Sequence, residues 1–189
     1  MLVLILGIVV FLGIHSVRIV APDFRDRQIA AGGEGRWKGI YSVVALIGLV
    51  LIVWGYSMAR LTAPILYDPP IFMRHINLLL MFFAFVFLAA SQLPAGRIKA
   101  AVKHPMLLAV KIWAFGHLLA NGDLAALILF GSFLAWAVVD RISVKRRGDM
   151  GPAPGPVKWD IIALAIAVVF YLLFVWRLHL WLFGVPVLP

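Results

Sequence analysis

The sequence contains no cysteine and very few charged side chains. The absence of Cys among its 189 residues excludes disulfide bonds, thiolate metal sites, covalently attached haem and a cysteine nucleophile. Charged residues make up 13% and hydrophobic residues 64% of the chain, whereas a soluble domain has about 25% and about 45–50%. So few polar side chains cannot cover a surface that faces water. The chain is therefore predicted to be an integral membrane protein.

Patterns typical of several other protein classes are also missing. The alternation of apolar and polar residues that marks an outer-membrane barrel does not occur, so the spans are expected to be helices. The sequence has no glycine-rich phosphate loop, no zinc-protease motif and no serine-hydrolase elbow. Glu34 is the only glutamate, and the apolar segments carry no ladder of carboxylates of the kind that a proton pump needs.

Six apolar segments are long enough to cross a bilayer as helices. A hydrocarbon core about 30 Å thick needs about 20 residues at a rise of about 1.5 Å each. Proline, glycine, asparagine and aspartate occupy the breaks between the segments, which is typical of turns. The predicted fold class is an all-α polytopic membrane bundle of six transmembrane helices, forming one domain over residues 1–189. The predicted spans are residues 1–20, 39–59, 75–93, 105–120, 124–139 and 161–183.

Basic residues are distributed unequally between the two sides that six spans define. Thirteen Lys and Arg residues lie in or beside the loops after spans one, three and five, and three lie on the other side. Because cytoplasmic loops carry the excess of positive charge, we expect the basic loops to face the cytoplasm and both termini to lie on the outer side of the membrane. The net charge of +9 then reflects contact with anionic lipid headgroups, and no nucleic-acid partner is expected.

Five histidines lie in or beside the predicted spans, where an ionisable side chain is a functional candidate. Depth sorts them into a cytoplasmic layer, His15 with His104, and an outer layer, His75 with His117 and His179 as a further candidate. Paired imidazoles without thiolates and almost without carboxylates favour axial ligation of haem b. Copper on imidazoles remains an alternative, whereas non-haem iron usually needs a carboxylate. His15 and His104 are the predicted metal ligands, and His75 and His117 are predicted cofactor-binding residues.

Two basic residues support a haem in the cytoplasmic layer. Lys111 lies seven residues after His104, which puts it about 20° from the same helix face and about 10 Å deeper in the membrane. An ammonium group there costs about 3 kcal/mol without a counter-charge, unless its stem snorkels to the headgroups. A haem propionate supplies that charge, and Arg18, one turn after His15, is placed to bind the second propionate.

The histidines also have purely structural explanations. His104 precedes a proline, which is typical of a helix start. His117 and Asn121 are able to hydrogen-bond across the bundle, while His75 and His179 stand beside arginines at headgroup depth. These explanations require no cofactor and remain open on the sequence alone.

Three stretches of the sequence resemble the NnrU family of bacterial membrane proteins, and the likeness covers most of the chain. The resemblance implies a protein of the bacterial inner membrane, with both termini in the periplasm. It also implies a role in denitrification, through nitric oxide and nitrite metabolism, with respiratory nitrogen-oxide enzymes as partners. The stretches are Gly13-Ile14-His15-Ser16-Val17-Arg18, then Lys103-His104-Pro105-Met106-Leu107-Leu108 continuing through Ile112-Trp113-Ala114-Phe115-Gly116-His117-Leu118-Leu119-Ala120-Asn121-Gly122-Asp123, and Gly131-Ser132-Phe133-Leu134-Ala135-Trp136.

The same family includes the plastid 15-cis-zeta-carotene isomerase, which is similar to a haem b enzyme. The resemblance implies that His15 is an axial ligand, and that His104 and His117 match two further family histidines. The isomerase places its second ligand in the fifth span, where this chain has Trp136 or Ala137. His104 is the predicted substitute on grounds of depth. The resemblance therefore implies isomerisation of a lipophilic polyene as an alternative to the handling of nitric oxide.

Two other functions fit the sequence less closely. A non-enzymatic assembly factor for respiratory enzymes needs the histidines only as structural groups. An S-adenosylmethionine-dependent membrane methyltransferase is the other, because Lys103-His104-Pro105 is similar to the basic-His-Pro element of the isoprenylcysteine carboxyl methyltransferase family. Those enzymes carry paired glutamates downstream of that element, whereas Glu34 lies upstream of it.

Overall fold

A computed structural model describes residues 1–188, and the protein is all-α, as predicted. Five helices are long and apolar enough to cross a membrane, which confirms a polytopic helical membrane protein. The seven helices are α1 (Leu2–Val20), α2 (Pro22–Ala59), α3 (Ile71–Gln92), α4 (Arg97–Val102), α5 (Pro105–Ala120), α6 (Leu124–Arg146) and α7 (Lys158–Phe183).

The fourth predicted span coincides with α5 and differs from the others in length. Its 16 residues give about 24 Å of helix, less than the hydrocarbon thickness of about 30 Å. The other predicted spans fall on α1, α2, α3, α6 and α7, the helices that meet the length criterion.

The connection between the first two spans is helical, although its proline and glycines predict a turn. Pro22 occupies the first turn of α2, where its missing N–H has no intrahelical acceptor to lose. The helix is then kinked at Gly33, whose φ of 78° lies in the region that favours glycine. Across the kink the rings of Phe24 and Trp37 pack edge to face, with centroids 6.4 Å apart. The turn prediction for this segment was therefore wrong.

The chain forms two compact units. The first unit comprises Met1–Leu66 and Asp123–Ser132, and the second comprises residues 67–122 and 133–188. The first nine residues of α6 thus belong to the first unit, and the rest of α6 belongs to the second. The prediction of one domain stays a prediction.

In the first unit, α1 and α2 pack so closely that their backbones touch at glycines. A Cβ added to Gly48 would lie 2.7 Å from the backbone nitrogen of Phe11, and one added to Gly55 would collide with the backbone of Leu4. Lipid tails are as apolar as leucine, so close contact at small residues is what holds membrane helices together. The antiparallel register of this hairpin therefore depends on its glycines.

In the second unit, α3 packs against both α5 and α7. The Asn77 side chain of α3 lies against Gly116 of α5, whose added Cβ would come within 2.5 Å of Asn77 Oδ1. On the α7 side, the Tyr171 hydroxyl donates to the Leu78 carbonyl over 3.2 Å. Small side chains form the buried contact between α3 and α7: Val86, Ala89, Ala90, Ala163 and Ala167.

The end of α3 is joined to α5 through the short helix α4, which Asp160 at the start of α7 holds in place. The Asp160 carboxylate accepts hydrogen bonds from the backbone N–H groups of Arg97 (2.9 Å) and Ile98 (3.0 Å). The Lys99 ammonium donates to the carbonyls of Ser91 (2.9 Å) and Leu93 (2.7 Å), beside the end of α3. Each bond satisfies backbone groups that a helix end leaves without intrahelical partners.

We expect Gly48→Ala to destabilise the protein by about 1–3 kcal/mol, because the new methyl group forces α1 and α2 apart. Gly13→Ala is the matched control, since a Cβ there meets no atom within 4 Å. That control should be neutral or gain up to about 1 kcal/mol from the higher helix propensity of alanine. Thermal unfolding in detergent measures both, and equal stability of the two variants would contradict the glycine contact.

Asp160→Ala should lower the free energy of unfolding by about 1–2 kcal/mol, because two backbone donors of α4 lose their acceptor. Asp68→Ala removes an exposed carboxylate and should leave stability unchanged. Chemical unfolding in detergent compares the two. A similar small effect of both substitutions would show that Asp160 does not hold α4.

Candidate functional site

His15 lies in a cleft of the first unit between aromatic rings. Its ring stacks on Phe11 with centroids 4.2 Å apart and planes 25° apart. The Tyr41 ring of α2 lies 5.0 Å from it on a tilted plane. The antiparallel register set by the α1–α2 glycines brings Tyr41 to this level. The imidazole is therefore held by rings from both helices.

The hydrogen bond of the His15 ring fixes its tautomer. Nδ1 lies 2.6 Å from the carbonyl oxygen of Phe11, one turn earlier in α1. A carbonyl oxygen only accepts, so Nδ1 carries the proton and Nε2 of the neutral ring carries the lone pair. Metal-binding histidines almost always have this arrangement, with one ring nitrogen donating and the other ligating. His15 thus has the tautomer of an Nε2 ligand.

The cleft beside His15 has a volume of about 250 Å³ and a positive lining. Lys38 pairs with Glu34 at 3.2 Å, and Arg25 pairs with Asp26 at 3.0 Å. Among residues 1–188, no carboxylate lies within ion-pair distance of the Arg18 guanidinium. The cleft is lined by Ile14, His15, Val17, Arg18, Arg25, Glu34, Trp37, Lys38 and Tyr41.

The predicted cytoplasmic layer is divided between the two units. His15 and Arg18 line one cleft of the first unit, which places the predicted propionate-binding arginine beside the predicted ligand. His104 and Lys111 belong to the second unit, so their pairing with His15 stays a prediction. Lys111 is half-buried in α5, and within residues 1–188 it has no carboxylate partner.

His104 stands immediately before α5, with Pro105 in the first turn, as the helix-start explanation predicts. Its Nε2 lies 3.3 Å from the carbonyl oxygen of Asp149 and 3.8 Å from the carboxylate of the same residue. The ring therefore joins the start of α5 to the loop that precedes α7.

The structure brings His117 and His179 together in the second unit. Their ring centroids lie 6.4 Å apart and their planes differ by 19°. Nδ1 of His117 bonds to the Trp113 carbonyl, and Nδ1 of His179 bonds to the Val185 carbonyl, each over 2.8 Å. Both rings therefore also have the tautomer in which Nε2 holds the lone pair.

The structure also shows what Asn121 bonds to and where His75 lies. The Asn121 side chain donates to the carbonyl of His117 one turn back, over 2.8 Å. The expected bond between these two residues thus lies within the end of α5 and does not cross the bundle. His75 lies exposed in the first turns of α3.

Sequence reasoning missed most of the cleft. Arg25, Glu34, Trp37 and Lys38 fall in the segment read as a turn, and the helical path through Gly33 brings them to the His15 level. Helical spacing gave a signal for Trp37, which lies four residues before Tyr41 and thus on the same helix face.

Among residues 1–188, no group of three or more His, Asp or Glu side chains is arranged to hold a metal ion. A single imidazole with Nε2 as acceptor, next to cationic side chains, is an arrangement that suits a prosthetic group carrying both a metal and acidic groups.

Comparison with known proteins supports the resemblance noted in the sequence. No curated protein and no solved structure matches the chain. The sequence profile of the family described as NnrU protein matches residues 3–187. Because this match spans nearly the whole chain, the protein belongs to the NnrU family.

Proposed function

We propose that the protein binds haem b in the membrane through His15 and thereby supports nitrogen-oxide metabolism. The observation that carries the proposal is the Nδ1 bond of His15 to the Phe11 carbonyl, which leaves Nε2 as the ligating atom. Membership of the NnrU family supports the link to denitrification and to respiratory nitrogen-oxide enzymes as partners.

The residues of the cleft fit the chemistry of haem b. His15 supplies an axial ligand of the usual type, and Arg18 supplies a cation that has no carboxylate partner among residues 1–188. Arg25 and Lys38 also line the cleft, and each is paired with a carboxylate, Asp26 and Glu34 respectively. The volume of about 250 Å³ is below the range of about 300–1,000 Å³ for whole cofactor pockets. The cleft therefore accounts for the ligand and the acidic edge of the group.

The roles of the chain's own residues follow from their places in the cleft. His15 holds the group through Nε2, with its ring orientation fixed by Phe11 and Tyr41. Arg18 orients it by binding an acidic arm, and buried Trp37 keeps water from that wall. When bound, haem iron supplies a site for a diatomic ligand or for one electron.

The protein expressed with haem supplied should show a Soret absorption band after purification, and His15→Ala should remove most of it, because Nε2 is lost. Arg18→Gln should weaken haem retention about tenfold while keeping the band, since one charge-assisted hydrogen bond is worth about 1.5–3 kcal/mol. Absorption spectroscopy with haem titration measures both effects.

His75→Ala is the matched control, because it removes an exposed imidazole at the start of α3 in the second unit. Its spectrum should equal that of the wild type. A colourless wild-type preparation, or equal loss of the band in the His15 and His75 variants, would refute ligation by His15.

The proposal includes six membrane crossings, with α5 as the sixth, and contacts within the second unit support this. At one end α5 is joined to the end of α3 through α4. At the other end the Tyr67 hydroxyl, which precedes α3, donates to the carbonyls of Leu118 and Asn121. α5 thus runs antiparallel to α3 over nearly its full length. Since α3 is a candidate span of 22 residues, α5 lies alongside a helix that is long enough to cross the bilayer.

Six crossings, combined with the excess of basic residues in the loops after spans one, three and five, place those loops in the cytoplasm of a bacterium and both termini in the periplasm. The basic residues at the end of α6, Lys145, Arg146 and Arg147, lie on the cytoplasmic side in this arrangement.

Reporter fusions distinguish six crossings from five. With six crossings, alkaline phosphatase should be inactive when fused after residue 152 and active when fused to the C-terminus, because the enzyme works only in the periplasm. If α5 does not cross, both activities reverse. Green fluorescent protein at the same two points is the control, with the opposite pattern of signal.

A further inference from the structure

A second charged cavity lies in the second unit, where α3 ends and α5 and α7 begin. It has a volume of about 520 Å³, within the range of about 300–1,000 Å³ for ligand sites. Its walls come from α4, the turn before α5 and the loop before α7. The lining residues are Arg97, Ala100, Ala101, Lys103, Met150, Pro152 and Pro154.

The two charged residues that line this cavity are both cations. Among residues 1–188, neither Arg97 nor Lys103 forms a side-chain ion pair. The nearby carboxylates are engaged: Asp160 accepts from two backbone N–H groups of α4, and Asp149 accepts from Gly151 N–H over 3.0 Å and lies 3.8 Å from His104. The cavity therefore has a net positive lining.

The backbone around Lys103 is held in an uncommon conformation. Lys103 has φ 64° and ψ −52°, and the His104 N–H donates to the Val102 carbonyl over 2.7 Å, which together define a γ-turn of the rare, strained type. Gly151 closes on this turn so tightly that an added Cβ would lie 2.7 Å from Lys103 Cβ. The loop before α7 thus packs against Cα and Cβ of Lys103 and holds the base of this side chain in place.

The remaining walls of the cavity are apolar. Met150, Pro152 and Pro154 line the cavity together with Ala100 and Ala101. The ends of two candidate spans, α3 and α7, adjoin it, so in a bilayer it lies at the depth of the lipid headgroups. A ligand with one negative group and an apolar remainder matches both kinds of wall.

We propose that this cavity binds an anionic membrane phospholipid, with the phosphodiester on Arg97 and Lys103 and the glycerol and first acyl carbons on the Met150 and proline wall. Basic pockets between membrane helices are a known mode of recognition for anionic headgroups. A free phosphate satisfies the cations but not the apolar wall, which is the reason for choosing the lipid. This site is separate from the haem cleft of the first unit and does not depend on it.

Native mass spectrometry of the detergent-solubilised full chain tests the proposal, with phosphatidylglycerol as probe and zwitterionic phosphatidylcholine for comparison. The wild type should retain phosphatidylglycerol preferentially. Arg97→Gln combined with Lys103→Gln should weaken its binding about 25-fold, because each cation near an anionic headgroup contributes about fivefold. Arg97→Lys combined with Lys103→Arg keeps both charges and should restore most of the affinity.

The matched control is Lys145→Gln combined with Arg146→Gln, which removes one Lys and one Arg from exposed positions of α6 in the same unit. It should change the affinity less than about twofold. An equal loss in this control would mean that only overall charge matters and would overturn the site. Equal retention of the two lipids by the wild type would do the same.

Two further arms keep the assignment falsifiable. If the double variant does not fold, Arg97→Gln alone is measured, because it changes only an exposed side chain. This single variant should weaken phosphatidylglycerol binding about fivefold. Inorganic phosphate is titrated as a competitor and should not displace the lipid. If phosphate binds by itself and displaces it, the ligand is a soluble anion and the lipid assignment is wrong.

Discussion

The backbone contact between α1 and α2 at glycines is the constraint on which the proposed haem site depends. Within a bilayer the hydrophobic effect does not draw helices together, so contact at small residues has to do so. Gly48 and Gly55 let α2 approach α1 directly, and this contact sets the register of the pair. The same register brings Tyr41 to the level of His15. A longer side chain at these glycines would therefore disturb both the packing and the cleft.

Charged groups are scarce in this chain, and cations that form no ion pair within residues 1–188 line two of its cavities. Arg18 lines the cleft beside His15 in the first unit, while Arg97 and Lys103 line the cavity at the ends of α3 and α7 in the second. Elsewhere the buried residues are hydrophobic, with alanine prominent among them and no buried polar side chain within residues 1–188. Both places thus suit ligands that combine acidic groups with apolar surface.

More of the fold than of the candidate site could be predicted from the sequence. Apolar length identified five of the six predicted spans, since bilayer thickness dictates the length of a span. The segment around Gly33 was misread because proline and glycine start and kink helices as well as make turns. Depth along a span placed His117 near His179, which the structure confirms. Depth says nothing of rotation about the helix axis, so Arg25 and Lys38 remained hidden, and the pairing of His15 with His104 stays a prediction.

Ligation of iron by the His15 imidazole is the central claim, and chemical rescue tests it most directly. His15→Gly removes the ring and leaves space that free imidazole is able to fill from solution. The account predicts that this variant loses the haem spectrum and that added imidazole restores it, while a resonance Raman band of the iron–imidazole bond returns with it. A haem spectrum that persists unchanged in His15→Gly without imidazole would contradict the account.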